Sequence, residues 1–158
     1  AEYGAWSLML GAAWILVAGA GASLRAFEAA DATGLRTAFL AWMPILGAAG
    51  LGQLFVGALT YLMPVVIGGG PSAVRVGVGV LEAAAPIREA ARNVASVLAL
   101  AVASLGGTSA ERLTIAAWVV LLATYLVDIV LMARCGVAQA RAKRAVASSP
   151  TTQGGRRG

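Results

Sequence analysis

The sequence predicts an all-α, polytopic membrane protein with four transmembrane helices and both termini cytoplasmic, and three observations carry that prediction. Of 158 residues, 59% are apolar and 12% charged, about half the charge of an ordinary soluble domain. The charges are clustered, leaving uncharged runs at residues 3–24, 37–74 and 93–110, and a fourth run at 113–133 broken only by Asp128. About 20 apolar residues cross a bilayer as a helix, so each run is near or above the required length. The third observation is the placement of Lys and Arg, which sets the orientation below.

Composition also removes whole classes of chemistry. The chain has no histidine, which excludes imidazole-ligated haem, zinc or copper, a serine-histidine triad and a histidine proton relay within this chain. Cys135 is the single cysteine, so an intrachain disulfide or CxxC pair is impossible. A formal charge of +5 would suggest nucleic acid in a soluble protein. Here the distribution points to membrane orientation, with no nucleic-acid partner.

The first span is expected at residues 3–24, too long for a signal-peptide core and without a basic segment before it. The absent initiator Met suggests a processed chain or a fragment. A polar loop from Arg25 to Arg36 follows. The second span is expected at 38–67, because Gly68-Gly69-Gly70-Pro71 is a strong stop, and tilt or a bend at Pro44 absorbs its excess length. Residues 72–85, interrupted by Gly77 and Gly79, read as an interfacial loop. Pro86 suits the first turn of a third helix, 86–105, which ends at Gly106 and Gly107. Thr108 and Glu111 form a T-x-x-E capping box, starting the fourth span at 109–133. This helix is expected to continue as a polar rod through Arg144. Residues 145–158 read as a disordered basic tail.

Topology follows from the basic residues. Arg25 and Arg36 lie in the first loop and Arg112 in the third, whereas Arg75, Arg88 and Arg92 lie in the second and six more follow Ala133. Nine against three places the amino terminus, second loop and tail inside by the positive-inside rule. The localisation expected is the bacterial plasma membrane.

From Gly52 the chain reads GQLFVGALTYLMPVVIGGGPSAVR, followed by a segment bringing Arg and Asn into the next helix. This string resembles the membrane region of actinobacterial multicopper-oxidase-like and nitrite-reductase-like proteins. That region is in turn reminiscent of haem-copper-oxidase-like and nitric-oxide-response membrane proteins. The resemblance covers roughly residues 51–133 and is weak in the first helix. It implies the last four helices of a longer membrane region, associated with bacterial respiratory or copper proteins. The family's histidines lie upstream of the matching part, so no catalytic residue is transferred and no cofactor is expected in this chain.

Asp128 is the only acid inside a span. A charge at such depth costs about 2.5 to 3.5 kcal/mol on insertion scales and marks a functional position by default. The structural alternative is neutralisation by a neighbouring helix. Antiparallel packing of the third and fourth helices brings Arg92 and Asn93 toward Asp128, with Arg88 competing and Gln53 or Tyr61 as other partners. Gln53 shares a helical face with Ala49, Gly57, Thr60 and Pro64, which suits either close helix packing or the polar lining of a substrate or quinone pocket. Tyr61 reads as a belt anchor or a ligand donor. The three glycines before Pro71 resemble an anion nest, but no P-loop Lys-Ser/Thr pair follows. Cys135 reads as a reduced thiol or a palmitoylation site.

Two functions follow. One is a noncatalytic membrane module that anchors or assembles a larger respiratory or copper-handling redox complex, in contact with other membrane chains. The other is a transporter or channel-like subunit with a polar pathway through Gln53, Thr60 and Asp128.

Overall fold

The computed structural model describes residues 2–103 and 107–148, and regular structure among the described residues is entirely helical. In chain order the elements are α1 (Glu2–Phe27), α2 (Ala32–Pro44), a π-helical segment (Ile45–Leu51), α3 (Gly52–Ile67), α4 (Gly70–Leu81), α5 (Ala85–Ala103) and α6 (Thr108–Ser148).

α2 starts at Ala32, earlier than the uncharged run suggests, because Asp31 caps it: Oδ1 accepts the Gly34 N–H at 2.7 Å. Pro44 has no N–H to return to Leu40. The ladder widens into the π-helical segment instead of breaking, and Ala32–Ile67 forms one rod of 36 residues. α1 packs along this rod through glycines on both sides. A Cβ on Gly11 would stand 2.9 Å from the Gly50 carbonyl, and one on Gly57 would stand 2.9 Å from the Gly4 carbonyl. The two backbones therefore touch, which is how helices associate where lipid removes the hydrophobic drive between them. Trp14, Ala18, Ile45 and Ala49 form the core beside this crossing.

Gly68, Gly69 and Gly70 all have positive φ (68°, 107° and 84°) and turn the chain into α4. The expectation of an interfacial loop at 72–85 is corrected here: residues 70–81 are helical. Its glycines weaken helix propensity, but Ala73, Gly77 and Leu81 form a buried small-residue stripe. That stripe lets α4 lie close against the far half of α6, where a Cβ on Gly77 would stand 2.7 Å from Gln139 Cδ.

The chain cannot continue straight from α4 into α5. Pro86 lacks an N–H and its ring would strike the Glu82 carbonyl, so the helix stops at Leu81 and Ala84 takes φ +51°. α5 then resumes in nearly the same direction. Gly69 lies by Lys143, Leu81 by Leu131 and Arg92 by Thr124. α4 and α5 are thus two halves of an interrupted helix running antiparallel to the 41-residue α6.

α6 begins at Thr108, where the Glu111 N–H bonds the Gly107 carbonyl at 3.1 Å. The expected stop at Gly106 lies outside the described residues. Residues 145–148, expected to be disordered, are the last turn of α6, closed by Ser148 Oγ donating to the Ala145 carbonyl at 3.1 Å. The remaining tail lies outside the described residues.

Among the described residues, three helices are long and apolar enough to cross a membrane: Glu2–Phe27, Ala32–Ile67 and Thr108–Ser148. α5 has 19 residues but carries Arg88, Glu89 and Arg92, and α4 has 12, about 18 Å of rise. Large apolar side chains cover the outside, including Phe55, Val66, Leu122 and Ile129. This is the surface of a helical membrane protein in contact with lipid.

A buried charge cluster at a helix break

The interruption between α4 and α5 leaves carbonyls with no helical partner. Arg88, in the first turn of α5, reaches back to them: Nε donates to the Ala83 carbonyl at 3.2 Å and Nη2 to the Leu81 carbonyl. Its Nη1 pairs with Asp128 Oδ1 on α6. Arg92, one turn further along α5, pairs through Nη2 with Asp128 Oδ2. One carboxylate thus bridges two guanidiniums, with Asp128 2% exposed and Arg92 fully buried.

The rest of the shell comes from α1 and α6. The Tyr3 hydroxyl donates to both Asp128 oxygens, at 3.1 and 3.3 Å, and accepts from Arg92 Nη2 at 3.3 Å. Arg92 Nε donates to Thr124 Oγ1 at 3.2 Å, and Nη1 to Ser7 Oγ at 3.5 Å. Arg88 stacks over the Tyr3 ring at 4.3 Å and Arg92 over the Tyr125 ring at 4.4 Å. Each nitrogen of Arg92 therefore has a partner. That satisfaction separates a tolerable buried ion cluster from a ruinous one, because an unpaired charge in a low-dielectric interior costs several kcal/mol.

Glu89 supplies the second negative charge. Its Oε1 accepts from Asn93 Nδ2 at 3.3 Å. Oε2 has no hydrogen bond and meets Arg92 only through charge, 3.7 Å from Nη1. Two arginines facing Asp128 and Glu89 make the cluster formally neutral.

Asn93 does not reach Asp128. It belongs to a neighbouring polar chain, in which its Oδ1 accepts from Trp14 Nε1 at 2.7 Å and from Gln53 Nε2 at 3.2 Å. Gln53 is fully buried and its backbone carbonyl accepts from Ser7 Oγ at 3.2 Å, which links the two networks. The Gln53 Oε1 atom is buried without a hydrogen bond. Thr60 is turned inward but bonds its own helix, at the Val56 carbonyl, 2.8 Å away. Tyr61 packs its ring against Gly4, apart from Asp128. Cys135 is buried against Gly77 and Gln139, inaccessible to a lipidating enzyme.

No protein-family model, curated protein or solved structure matches the chain. The site is therefore read from its own geometry.

Tyr3, Ser7, Glu89, Thr124 and Tyr125 belong to the cluster, a role the sequence expectations did not assign to them. The sequence did carry one signal for the cluster: Arg88, Arg92 and Ser96 recur every fourth residue along one face of α5, with Ser96 buried and bonded to the Arg92 carbonyl at 2.9 Å. A stripe of that kind needs an acid opposite it. Tyr125 is coupled to the π-helical segment, donating its hydroxyl to the Ala48 carbonyl.

Beside the cluster a cavity of about 480 Å³ opens between α1 and the start of α5, lined by Tyr3, Trp6, Leu10, Pro86, Glu89 and Asn93 among others. Gln53, Thr60 and Asp128 do not line it.

Proposed function

We propose that the chain is a noncatalytic integral membrane module, with four spans and cytoplasmic termini, that anchors or assembles a larger bacterial respiratory or copper-handling complex. The observation that carries this reading is how the buried ionic groups are used. Arg88, Arg92 and Asp128 are engaged with one another, with Tyr3 and with the carbonyls of the α4–α5 break. With Glu89 beside Arg92 the cluster is formally neutral, and such a cluster locks helices together and leaves the apolar outer faces for lipid and neighbouring chains. Resemblance of residues 52–75 to the membrane region of multicopper-oxidase-like proteins supports the choice of complex.

A second reading, a transporter or channel-like subunit, is favoured by the interrupted helix beside the Glu89-lined cavity, since broken helices at membrane depth often border substrate sites. The pathway for it would pass Glu89 and Asn93. A route through Gln53, Thr60 and Asp128 is not favoured, because the Thr60 hydroxyl is returned to its own helix.

Purification from native membranes separates the two. Comigrating cytochrome or cupredoxin chains with a matching optical spectrum support the module. A solitary chain that passes solute in liposomes supports the transporter and defeats the module. For orientation, cysteines placed at Ala30 and Ser148 in a Cys135→Ala background should label from opposite sides. Labelling from one side defeats the four-span arrangement.

A further inference from the structure

α4 and α6 do not close on one another over their whole outer side. Between them runs an open groove of about 510 Å³, lined by Val80 of α4 and by Val130, Ala133, Arg134, Val137, Ala138 and Arg141 of α6. Val130, Arg134, Val137 and Arg141 follow at spacings of four, three and four residues, so they share one face of α6. Apolar surface fills the end nearer the charge cluster, and the two arginines stand along the end nearer the carboxyl terminus. About 10 Å of helix separates their Cα atoms, a gap that two side chains of this length can reach across. The groove lining contains no acid. Among the described residues neither arginine has a carboxylate within ion-pair distance, in contrast to Arg88 and Arg92.

We propose that this groove is a binding site for an anionic phospholipid, one acyl chain lying along Val80, Val130 and Ala133 and the phosphate held between the Arg134 and Arg141 guanidiniums. Charge complementarity selects the occupant. A guanidinium matches phosphate geometry through paired N–H donors, and basic pockets between membrane helices recognise anionic headgroups. A zwitterionic lipid carries the same phosphate, but its ammonium group would lie beside two arginines with no acid in the groove to receive it, so a headgroup with net negative charge is preferred. The site is independent of the module and transporter readings, since it uses neither the cluster nor its cavity.

The test is native mass spectrometry of the detergent-solubilised chain with an equimolar mixture of phosphatidylglycerol and phosphatidylcholine. Each basic residue near an anionic headgroup contributes about a fivefold preference, so the pair gives about thirtyfold. Arg134→Gln or Arg141→Gln alone should leave about fivefold, and the double variant none. Ala133→Phe keeps both charges but fills the groove, and should lower binding of both lipids. Arg112→Gln, at the opposite end of α6, should change nothing. Equal binding of the two lipids by the unaltered chain would overturn the proposal. So would full preference in the double variant, or an Ala133→Phe variant that binds as the unaltered chain does.

Discussion

Replacing Asp128 by Asn tests whether the cluster is an electrostatic lock. The substitution preserves shape, so it opens no cavity, but it leaves Arg88 and Arg92 buried, and among the described residues the other carboxylate within ion-pair distance is Glu89, beside Arg92. Breaking a buried pair from one side costs about 3 to 5 kcal/mol. The structure places Asn within that range. Both Asp128 oxygens accept hydrogen bonds, Oδ1 from Arg88 and Tyr3 and Oδ2 from Arg92 and Tyr3, whereas an amide has one acceptor oxygen. Whichever way it is turned, its NH2 group faces a guanidinium. Asn should therefore cost about 3 kcal/mol and Leu, which loses every acceptor, about 5. At roughly 2 to 4 °C per kcal/mol for a chain of this size, Tm should fall by about 6 to 12 °C for Asn and 10 to 20 °C for Leu. The buried thiol of Cys135 reports unfolding directly through a thiol-reactive fluorophore in mild detergent. Adding Arg92→Gln to Asp128→Asn restores neutrality, so the double variant should lose less than the sum of the singles by about 0.5 to 3 kcal/mol. An Asn variant melting with the unaltered chain, or strict additivity in the double, would refute the lock.

Three further substitutions probe the frame around it. Arg88→Lys keeps a charge for Asp128 but cannot also span the Leu81 and Ala83 carbonyls; it should cost about 1 to 3 kcal/mol and speed amide hydrogen exchange at residues 82–88, and unchanged exchange would show that the carbonyls do not depend on it. Ala84→Gly relieves a positive φ and should stabilise the chain by up to about 1 kcal/mol, less whatever Gly adds to the entropy of the unfolded state, whereas a drop in Tm would contradict the strained break. Gly57→Val forces a side chain onto the Gly4 carbonyl and should cost about 1 to 3 kcal/mol, checked by the same thermal assay against Gly19→Ala, where nothing lies near the new carbon.

Much of the helical frame was legible because lipid simplifies the code. A long uncharged run signals a helix whatever it packs against, and Gly68 to Pro71 punctuates it wherever the bundle turns. What propensity obscured was α4. Gly77 and Gly79 lower the helix-forming tendency of residues 70–81, and only the partner surface explains why a helix forms: Gly77 is the residue that lets Gln139 approach. Intrinsic preference is outweighed by packing that is visible only once both helices are placed. The start of α2 was missed for a local reason, since Asp31 acts as a cap among charged residues that read as loop.

The site was harder to read than the frame, and the reason lies in the break. Pro86 reads equally well as the first residue of an independent helix and as the point where a longer helix is interrupted. On the first reading Arg88 is an interfacial charge that competes for Asp128. On the second, the interruption leaves the Leu81 and Ala83 carbonyls without helical donors, and an arginine two residues past the proline is placed to receive them. Once Arg88 is committed there, its charge lies inside the bundle and an acid must stand opposite it. Asp128 meets that need on α6, and Arg92, one turn on, takes its second oxygen. The cluster is in this sense a consequence of the proline. If the α4–α5 break were healed by Pro86→Ala, Arg88 would lose its carbonyl partners, and residues 82–86 should gain exchange protection while the pairing of Arg92 with Asp128 persisted. Loss of that protection gain would mean that the break is dictated by Arg88 and Asp128 and the proline only accommodates it.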